Sequence, residues 1–275
     1  MNTELKKHYK RALTIAGSDP SGGAGIQADL KTFSACGCFG TSAIVAVVDE
    51  NTVGVTGVHP VPVEFVTGQI RSVLDDIGAD AVKIGMLHSS ELIRAVRDTL
   101  ATYPIRNIVL DPVMVATSGD ALLQEEAVAT LRDELLPAAR IITPNIPEAE
   151  LLLGARIERQ EALSEAARAL SRMGRGVSVF LKAGHLVDEE LVDIFYNAET
   201  DEIVPLRSRR LATRNTHGTG CTLSSALAAF LAHGCTLNEA AAKAKAYIAA
   251  AIEAGAAYEI GHGHGPVHHF FGFWE

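Results

Sequence analysis

The 275-residue chain has little sulfur, few aromatic residues and no long apolar run. Its four cysteines are too few for the disulfide framework of a small secreted protein, so we expect reduced thiols. The longest apolar stretches, such as 43–48 and 226–232, are well short of the ~18 residues that a membrane span requires. The basic residues near the N-terminus precede an apolar run, 12–16, that is too short for a signal peptide. We therefore expect a cytoplasmic protein with no membrane partner.

Positive charge is also scarce. Lysine and arginine total 24 against 33 acidic residues, which gives a formal net charge of −9, and the longest basic cluster is 207–210. This balance argues against a nucleic-acid-binding surface. A site for an anionic ligand would therefore need positively charged or N–H groups gathered locally.

What the chain does have is an alternation of short β-branched runs with helical periods. Several runs are apolar throughout, as in strands covered by helices on both faces, which predicts an α/β fold with a mostly parallel sheet. Residues 191–197 and 202–206 flank a turn and predict an antiparallel edge hairpin, followed by a helical C-terminal part. No linker or repeat divides residues 1–275, which favours a single domain. The predicted parallel strands are 12–16, 41–48, 81–85, 105–111, 140–143 and 177–182.

Ligands of open α/β sheets bind beyond the carboxyl ends of the strands, so residues after each strand are the candidates for chemistry. The clearest is Gly218-Thr219-Gly220-Cys221, which opens an amphipathic helix. Amides and dipole at that N-terminus would attract a phosphate, although a plain glycine-rich helix start explains the same residues. The dipole would also lower the pKa of the Cys221 thiol and make it a candidate base, with an inert buried cysteine as the alternative.

Two charged side chains are predicted on apolar elements. Asp29 falls on the same side of a helix as Ile26 and Phe33, so its carboxylate needs a buried cation or a ligand hydroxyl as partner. A solvated or salt-bridged Asp29 is the alternative. Lys182 ends an apolar strand, where ATP phosphates would supply negative charge, and escape of its side chain to solvent is the alternative.

Two further motifs have ordinary structural explanations. Asn145 and Glu148 have the spacing of a helix capping box, and the functional alternative places Glu148 near Mg²⁺. Four histidines crowd residues 261–269 and suggest a metal site, but no acid or cysteine joins them and no regular element holds them. A turn followed by a docking segment is the favoured interpretation of that stretch.

A resemblance to a known family is carried by seven segments in order: ALTIAGSDPSGGAGIQADLKTF (12–33), KIGML (83–87), LDPVM (110–114), ITPN (142–145), KAGHL (182–186), NTHGTGCTL (215–223) and GHGHGPVHH (261–269). Together they resemble the ribokinase-like superfamily, and specifically its hydroxymethylpyrimidine kinase/phosphomethylpyrimidine kinase family of thiamine biosynthesis. The resemblance covers nearly the whole chain. It implies a three-layer α/β/α fold, a homodimer and two successive phosphorylations of 4-amino-5-hydroxymethyl-2-methylpyrimidine that use ATP and Mg²⁺.

The resemblance also implies a role for each motif residue. The loop at 218–221 would form an anion hole, with Cys221 where sugar kinases of the superfamily place an acidic base. The implied catalytic residues are Gly218, Thr219, Gly220, Cys221 and Lys182; the pyrimidine contacts are Gly17, Asp29, Glu50, Met86 and Val113; the nucleotide and phosphate contacts are Asp111, Asn145, Lys182, Thr216 and His217; and the metal ligands are Glu148 and Asp111.

The resemblance breaks at Asp49-Glu50-Asn51-Thr52, where family members usually carry Ala-Gln-Asn-Thr. A glutamine amide both donates and accepts hydrogen bonds, whereas an ionised glutamate only accepts. Three alternatives follow: Glu50 binds a ring that is protonated on nitrogen, Glu50 is itself protonated, or the preferred substrate differs.

Two other functions stay open at this point. A pyridoxal or pyridoxine kinase of the same superfamily is the alternative enzyme, since both kinds of ring carry a hydroxymethyl group. A non-catalytic pyrimidine sensor is the alternative from another class, because a fold does not guarantee activity. The intact loop 218–221 and Lys182 argue against the sensor.

Overall fold

The computed structural model describes residues 7–114, 125–184 and 190–274. The His185-Leu186 end of the KAGHL segment therefore lies outside the described residues. Among the described residues, no helix is long and apolar enough to cross a membrane.

The central sheet has eight strands, in the spatial order β10-β9-β8-β7-β6-β5-β1-β2. The pairs from β2 across to β8 are parallel, whereas β9 and β10 pair antiparallel at one edge, so the predicted sheet and edge hairpin are both confirmed. The strands are β1 Arg11–Ala16, β2 Phe39–Ile44, β3 Ala46–Glu50, β4 Val55–Pro60, β5 Ala81–Ile84, β6 Ile108–Leu110, β7 Ile141–Ile142, β8 Ser178–Leu181, β9 Glu190–Asn197 and β10 Glu202–Arg209.

Helices cover both faces of the sheet and make three layers. Apolar residues of α2, α3, α5 and α6 form one core, and those of α1, α7 and α8 form the other. The helices are α1 Gly25–Ala35, α2 Val63–Asp76, α3 Ser90–Leu100, α4 Glu125–Thr130, α5 Ile146–Leu153, α6 Leu163–Met173, α7 Thr219–Ala232 and α8 Leu237–Gly255.

The continuous apolar strands follow from this layering. In β1, Ala12 belongs to the α7 and α8 core and Leu13 to the opposite core, and in β8 Phe180 and Leu181 divide in the same way. Successive side chains of a strand point to opposite faces, so a strand buried on both faces is apolar at most positions. Polar side chains inside these strands, such as Thr14 of β1 and Lys83 of β5, have buried partners, and unpaired polar groups are expected only at the strand ends.

The predicted strand 41–48 is wrong in one respect, because the chain leaves the sheet within it. β2 ends at Ile44, and β3 begins at Ala46 and pairs antiparallel with β4 in a separate two-stranded sheet. Val45 donates its N–H to the Ala16 carbonyl, and the Ala46 carbonyl accepts from Ser18. These bonds hold the base of the β3–β4 hairpin beside the loop that follows β1.

Candidate active site

Side chains from three neighbouring strand ends meet at the carboxyl edge of the sheet. Asp111 follows β6, Thr143 follows β7 and Lys182 follows β8. Lys182 Nζ lies 3.1 Å from Asp111 Oδ1, which also accepts from the Thr143 hydroxyl at 2.8 Å. Ser224 of α7 donates to the other Asp111 oxygen at 3.2 Å. The strand ends and α7 therefore share one buried carboxylate.

The start of α7 lies against this ion pair. A Cβ added to Gly220 would come 3.2 Å from Lys182 Nζ and 3.5 Å from Asp111 Oδ2, so the helix backbone itself approaches the charges. Gly218 has φ +76°, and a side chain there would overlap the Gly23 carbonyl oxygen. The first turn of a helix leaves backbone N–H groups without intrahelical partners. A lysine and a helix N-terminus are thus combined into one positive site.

Glu148 brings a second carboxylate to Lys182 and Asp111. Burial and the nearby charge of Asp111 raise the pKa of Glu148 to about 7, although Lys182 opposes that rise. Burial also disfavours the charged Lys182, but Asp111 and Glu148 outweigh it and raise the pKa of this amine. The site therefore holds one firmly charged cation beside two acids, of which one gains its charge only near neutral pH.

The predicted capping box is confirmed at the start of α5. The Glu148 N–H donates to Asn145 Oδ1 at 2.9 Å, and the Asn145 N–H donates to Glu148 Oε2 at 2.8 Å. Because Glu148 is also next to Lys182 and Asp111, the ordinary structural explanation and the functional one apply to the same side chain. Asn145 forms a parallel bridge with Lys182, which brings the cap to the strand end.

The donor set of Asp111 and Glu148 fits a divalent cation. Both side chains are buried, and their mutual repulsion contributes to the raised pKa of Glu148. Carboxylate oxygens are the protein ligands that Mg²⁺ prefers at phosphate sites, and a bound cation would relieve this repulsion. The assignment of these two residues as metal ligands stays a prediction.

Cys221 departs from its predicted state. Burial, together with the charges of Asp29 and Asp111, raises the pKa of its thiol to about 11, and Lys83 only partly offsets this. The prediction of a lowered pKa for this thiol is wrong, because its removal from water disfavours the thiolate. At neutral pH, Cys221 is a protonated thiol.

Asp29 is paired inside the protein. Its two oxygens both lie 2.8 Å from Lys83 Nζ, and they also accept from the hydroxyls of Thr14 and Ser225 at 2.6 and 2.7 Å. Asp29 and Lys83 are both 0% exposed. The buried cation anticipated as one partner of Asp29 is therefore Lys83. The carboxylate is enclosed by these three partners, and its implied role as a pyrimidine contact stays a prediction.

A second polar cluster joins the loop after β1 to His217, the residue that precedes the loop at 218–221, which we call the anion loop. Asp19 accepts from the amides of Ser21, Gly23 and Ala24, and it lies 2.8 Å from His217 Nε2. Burial opposes its charge, yet the hydrogen bonds from His217 and Ser21 hold the pKa of Asp19 well below its usual range. Asp19 is thus an ionised anchor for the loop.

Glu50 lies in the same cluster. Its carboxylate, the Asp19 carboxylate and a His217 ring nitrogen are all within 4.8 Å of one another. Burial opposes protonation of His217, but its hydrogen bond to Asp19 and the charges of Asp19 and Glu50 raise the pKa of the ring. The resemblance implies that His217 contacts the nucleotide. Because Asp19 holds its ring, the structure groups His217 with Glu50, a predicted pyrimidine contact.

The other predicted site residues are also placed. Gly17 packs against Met86, because a Cβ on Gly17 would come 2.9 Å from the Met86 methyl group. The half-buried Val113 packs against the core next to Asp111, whose carbonyl accepts its N–H at 2.8 Å. The Thr216 carbonyl accepts from Thr219 at the start of α7. The structure therefore brings together most of the predicted site residues, and Asp29 is fully buried.

Sequence reasoning missed the roles of four residues: Asp19, Lys83, Thr143 and Ser224. For Lys83 a signal was available. It lies between Val82 and Ile84 in an apolar strand, where a cation needs a buried anion, and Asp29 needs a buried cation. Asp19 carries no such signal, since a loop aspartate is ordinarily solvated.

A central sheet covered by helices on both faces, with polar side chains gathered at the carboxyl ends of its strands, is the architecture of a ribokinase-like α/β protein. The family model described as phosphomethylpyrimidine kinase matches residues 19–268. A Rhizobium meliloti hydroxymethylpyrimidine/phosphomethylpyrimidine kinase is 52% identical over 265 residues, which are 96% of this chain and 98% of that protein. The chain belongs to the phosphomethylpyrimidine kinase family.

Solved structures agree with this assignment. A phosphomethylpyrimidine kinase from Clostridium difficile has a TM-score of 0.76 and 42% identity, over 86% of this chain and 97% of that one. An ADP complex of Bacillus subtilis pyridoxal kinase has a TM-score of 0.86 and 38% identity, over 95% of this chain and 98% of that one. The fold is therefore shared with a phosphomethylpyrimidine kinase and with a pyridoxal kinase.

Proposed function

We propose that this protein transfers the γ-phosphoryl group of ATP to the hydroxyl of 4-amino-5-hydroxymethyl-2-methylpyrimidine, and then a second phosphoryl group to the resulting monophosphate. The observation that carries the proposal is the contact of the Lys182–Asp111 pair with the backbone of Gly220 at the start of α7. Membership of the phosphomethylpyrimidine kinase family supports the choice of substrate.

Phosphoryl transfer requires mainly positioning and charge stabilisation, because its transition state is loose. Lys182 and the amides at Gly218–Cys221 would hold the transferring group, with a cation and fixed dipoles aimed at the equatorial oxygens. Asp111 keeps the Lys182 amine in place and charged. Asp111 and Glu148 would hold Mg²⁺, which neutralises phosphate charge when it is bound.

A strong base is not required for either step. The acceptor hydroxyl can lose its proton late in a loose transition state, and the acceptor of the second step is a phosphate that is already ionised. The protonated Cys221 then packs beside the reacting groups, and the amides around it stabilise the transferring phosphoryl group. This replaces the base role that the resemblance implied for it.

Glu50 is the proposed determinant of ring binding. The Glu50 carboxylate lies within 4.8 Å of the Asp19 carboxylate and of a His217 ring nitrogen, and an ionised carboxylate can bind an aminopyrimidine that is protonated on its ring nitrogen. Of the three alternatives for Glu50, we propose this one. It makes the affinity for the pyrimidine fall as pH rises above the pKa of the ring.

The test of Glu50 is a comparison of pH profiles. Glu50→Gln should bind the neutral ring and lose most of the pH dependence of substrate KM, whereas wild type should lose affinity as pH rises. Asp49→Asn is the matched control, since Asp49 is the exposed neighbour on the same strand. Identical profiles for Glu50→Gln and wild type would remove the charge-assisted contact.

The reaction itself is tested with purified protein, ATP, Mg²⁺ and hydroxymethylpyrimidine, with pyridoxal in a parallel reaction and products followed by mass. Pyrimidine monophosphate followed by diphosphate is the expected result. Phosphorylation of pyridoxal alone would establish the second candidate, which the likeness to the Bacillus subtilis enzyme and the unusual Glu50 favour. No product from either substrate would support the sensor.

We further propose one kinase domain over residues 1–275, a homodimer and a cytoplasmic location. Exposed apolar side chains on β2 and on the β3–β4 hairpin support a self-association surface, namely Phe39, Val47 and Val58. The four cysteines carry free thiols, which fits a reducing compartment. Sedimentation velocity on wild type and on Val47→Asp would test the dimer.

A further inference from the structure

The histidine- and glycine-rich segment after α8 is packed against the β3–β4 hairpin. We call residues 261–265, Gly-His-Gly-His-Gly, the strap. A Cβ on Gly261 or on Gly263 would overlap Thr52, and one on Gly265 would overlap the Asn215 side chain. Gly261 also has φ +68°. The three glycines are therefore explained by how closely the strap backbone approaches its neighbours.

Thr52 is the residue that receives the strap. Its hydroxyl oxygen accepts from the N–H groups of His262 and Gly263 at 3.2 Å each, and its carbonyl accepts from His264 at 2.8 Å. Thr52 lies in the turn of the hairpin, two residues after Glu50. Whereas Ser18 holds the base of the hairpin, the strap holds its tip.

The far end of the strap reaches the anion loop. The Gly265 carbonyl accepts from the His217 N–H at 3.0 Å, and His217 forms a parallel bridge with Pro266. His217 is also the ring that lies beside Glu50 and Asp19. The strap therefore connects the tip of the hairpin to the residue that precedes Gly218.

The strap histidines belong to no cluster of metal-ligating side chains among the described residues. Among the described residues, the one group of three ligating side chains that meets within 4.8 Å is Asp19, Glu50 and His217, which includes no strap histidine. His264 instead lies 3.3 Å from the Arg214 carbonyl. The strap uses its backbone N–H groups, and its glycines are what let them reach Thr52.

We infer that Thr52 is a positioning residue for the substrate: its bonds to the strap hold the hairpin so that Glu50 stays beside His217 at the pyrimidine site. Thr52 acts through Glu50 and does not touch Lys182 or Asp111. Loss of its hydroxyl should consequently weaken binding of the pyrimidine and spare the transfer step. This inference rests on the proposed function for its kinetic readout, but its structural readout is independent of activity.

The test is Thr52→Val, which keeps the β-branched shape and removes the hydroxyl acceptor. We expect KM for the pyrimidine to rise about tenfold, in line with the loss of two backbone hydrogen bonds, with kcat at saturation and KM for ATP within about threefold of wild type. Thr52→Ser should restore wild-type KM. Thr56→Val is the matched control, because the Thr56 hydroxyl bonds to the Asp49 carbonyl within the same hairpin.

Hydrogen exchange provides the second readout. In Thr52→Val the amides of His262 and Gly263 should exchange faster, together with those of the hairpin turn, while α7 keeps its protection. Gly263→Ala, which would overlap the Thr52 carbonyl, should produce the same kinetic defect, and the double variant should be less than additive.

Three outcomes would overturn the inference: unchanged exchange and KM in Thr52→Val, an equal rise of KM in Thr56→Val, or a fall confined to kcat. Absence of turnover in wild type would instead reject the proposed function. In that case the exchange experiment and direct binding of hydroxymethylpyrimidine without ATP still decide whether Thr52 positions the hairpin.

Discussion

Two lysine–aspartate pairs lie near the start of α7, and they differ in their surroundings. Lys83 and Asp29 are both 0% exposed, and the Asp29 carboxylate is surrounded by Lys83, Thr14 and Ser225. In the other pair Asp111 is 1% exposed, but the Lys182 side chain is 16% exposed and has a second acid, Glu148, beside it.

This difference separates a structural role from a chemical one. A buried pair with complete hydrogen bonding has nothing left to offer a ligand, and its effect is on the packing of β1, β5 and α7. A pair at a strand end, with a partly exposed cation and an acid whose charge changes near neutral pH, is suited to the phosphate and metal contacts proposed for it. Residue type alone does not distinguish the two.

Removing one charge of the fully buried Lys83–Asp29 pair should have the largest effect on the stability of the fold. Lys83→Met leaves the Asp29 carboxylate buried without a cation and should lower the free energy of unfolding by roughly 3–5 kcal/mol. Urea denaturation measures this. The double variant Asp29→Asn/Lys83→Met should be more stable than Lys83→Met alone, since neither charge is then stranded. A double variant with the summed loss would contradict this account.

Removing the cation of the Lys182–Asp111 pair should instead lower the rate of turnover. Lys182→Met should lower kcat/KM by about 10²–10³-fold, the typical cost of one transition-state donor, while Asp111 keeps its bonds to Thr143 and Ser224. Steady-state kinetics and urea denaturation of the same sample separate the two effects. Lys182→Arg is the charge-retaining control. A loss of stability as large as that of Lys83→Met, with activity retained, would reverse the two assignments.

The acid beside Lys182 should produce a pH-dependent stability. The pKa of Glu148 is raised from 4.5 to about 7, so the folded protein holds its proton more tightly than the unfolded chain. This stabilising contribution is complete below about pH 4.5 and is lost as pH rises through about 7. In Mg²⁺-free buffer, the free energy of unfolding of wild type should fall more between pH 5 and 8 than that of Glu148→Gln.

A matched control for this pH effect is Glu165→Gln, because the Glu165 side chain is 72% exposed and pairs with Arg172 on the surface of α6. Its stability should follow the wild-type pH curve. Parallel curves for Glu148→Gln and wild type would show that Glu148 is not the group responsible. Glutamine can still accept the Asn145 N–H, so the helix cap is retained in the variant.

Cys221 interacts electrostatically with charged residues of both pairs, and its replacement should have the smallest effect. Since its thiol is protonated at neutral pH, Cys221→Ala should slow both phosphorylations equally and by less than about tenfold, whereas loss of a general base costs about 10²–10⁴-fold. Single-turnover assays of each step measure this, with Cys235→Ala as control. A large loss confined to the first step would restore the base role.

The layers and most of the sheet could be predicted because strands buried on both faces leave an unbroken apolar pattern. The same pattern concealed the break at Val45, where residues 41–48 divide between β2 and the hairpin. Apolar character continues through Ala46 and Val48, which are buried under the loop after β1 and not in the main sheet. Pattern alone does not say what covers a strand.

The site was predictable where it depends on strand ends and less so where it depends on strand order. Asp111 and Lys182 each follow a predicted strand, so their meeting at one edge follows from a parallel sheet. The partnership of Asp29 with Lys83 depends on β1 lying next to β5, which the sequence does not state. The raised pKa of Cys221 depends on burial by the assembled helices, which is a property of packing.

The contacts of α7 with the loop after β1 also determine when the site can form. Asp29 bonds to Ser225, and the Gly218 backbone lies against Gly23, so groups almost 200 residues apart along the chain complete each other. A growing polypeptide on the ribosome can build the parallel strands early, but it cannot complete the proposed phosphate site until α7 has been synthesised. Substrates can therefore stabilise only chains that extend past residue 225, and shorter intermediates depend on other means of protection from aggregation.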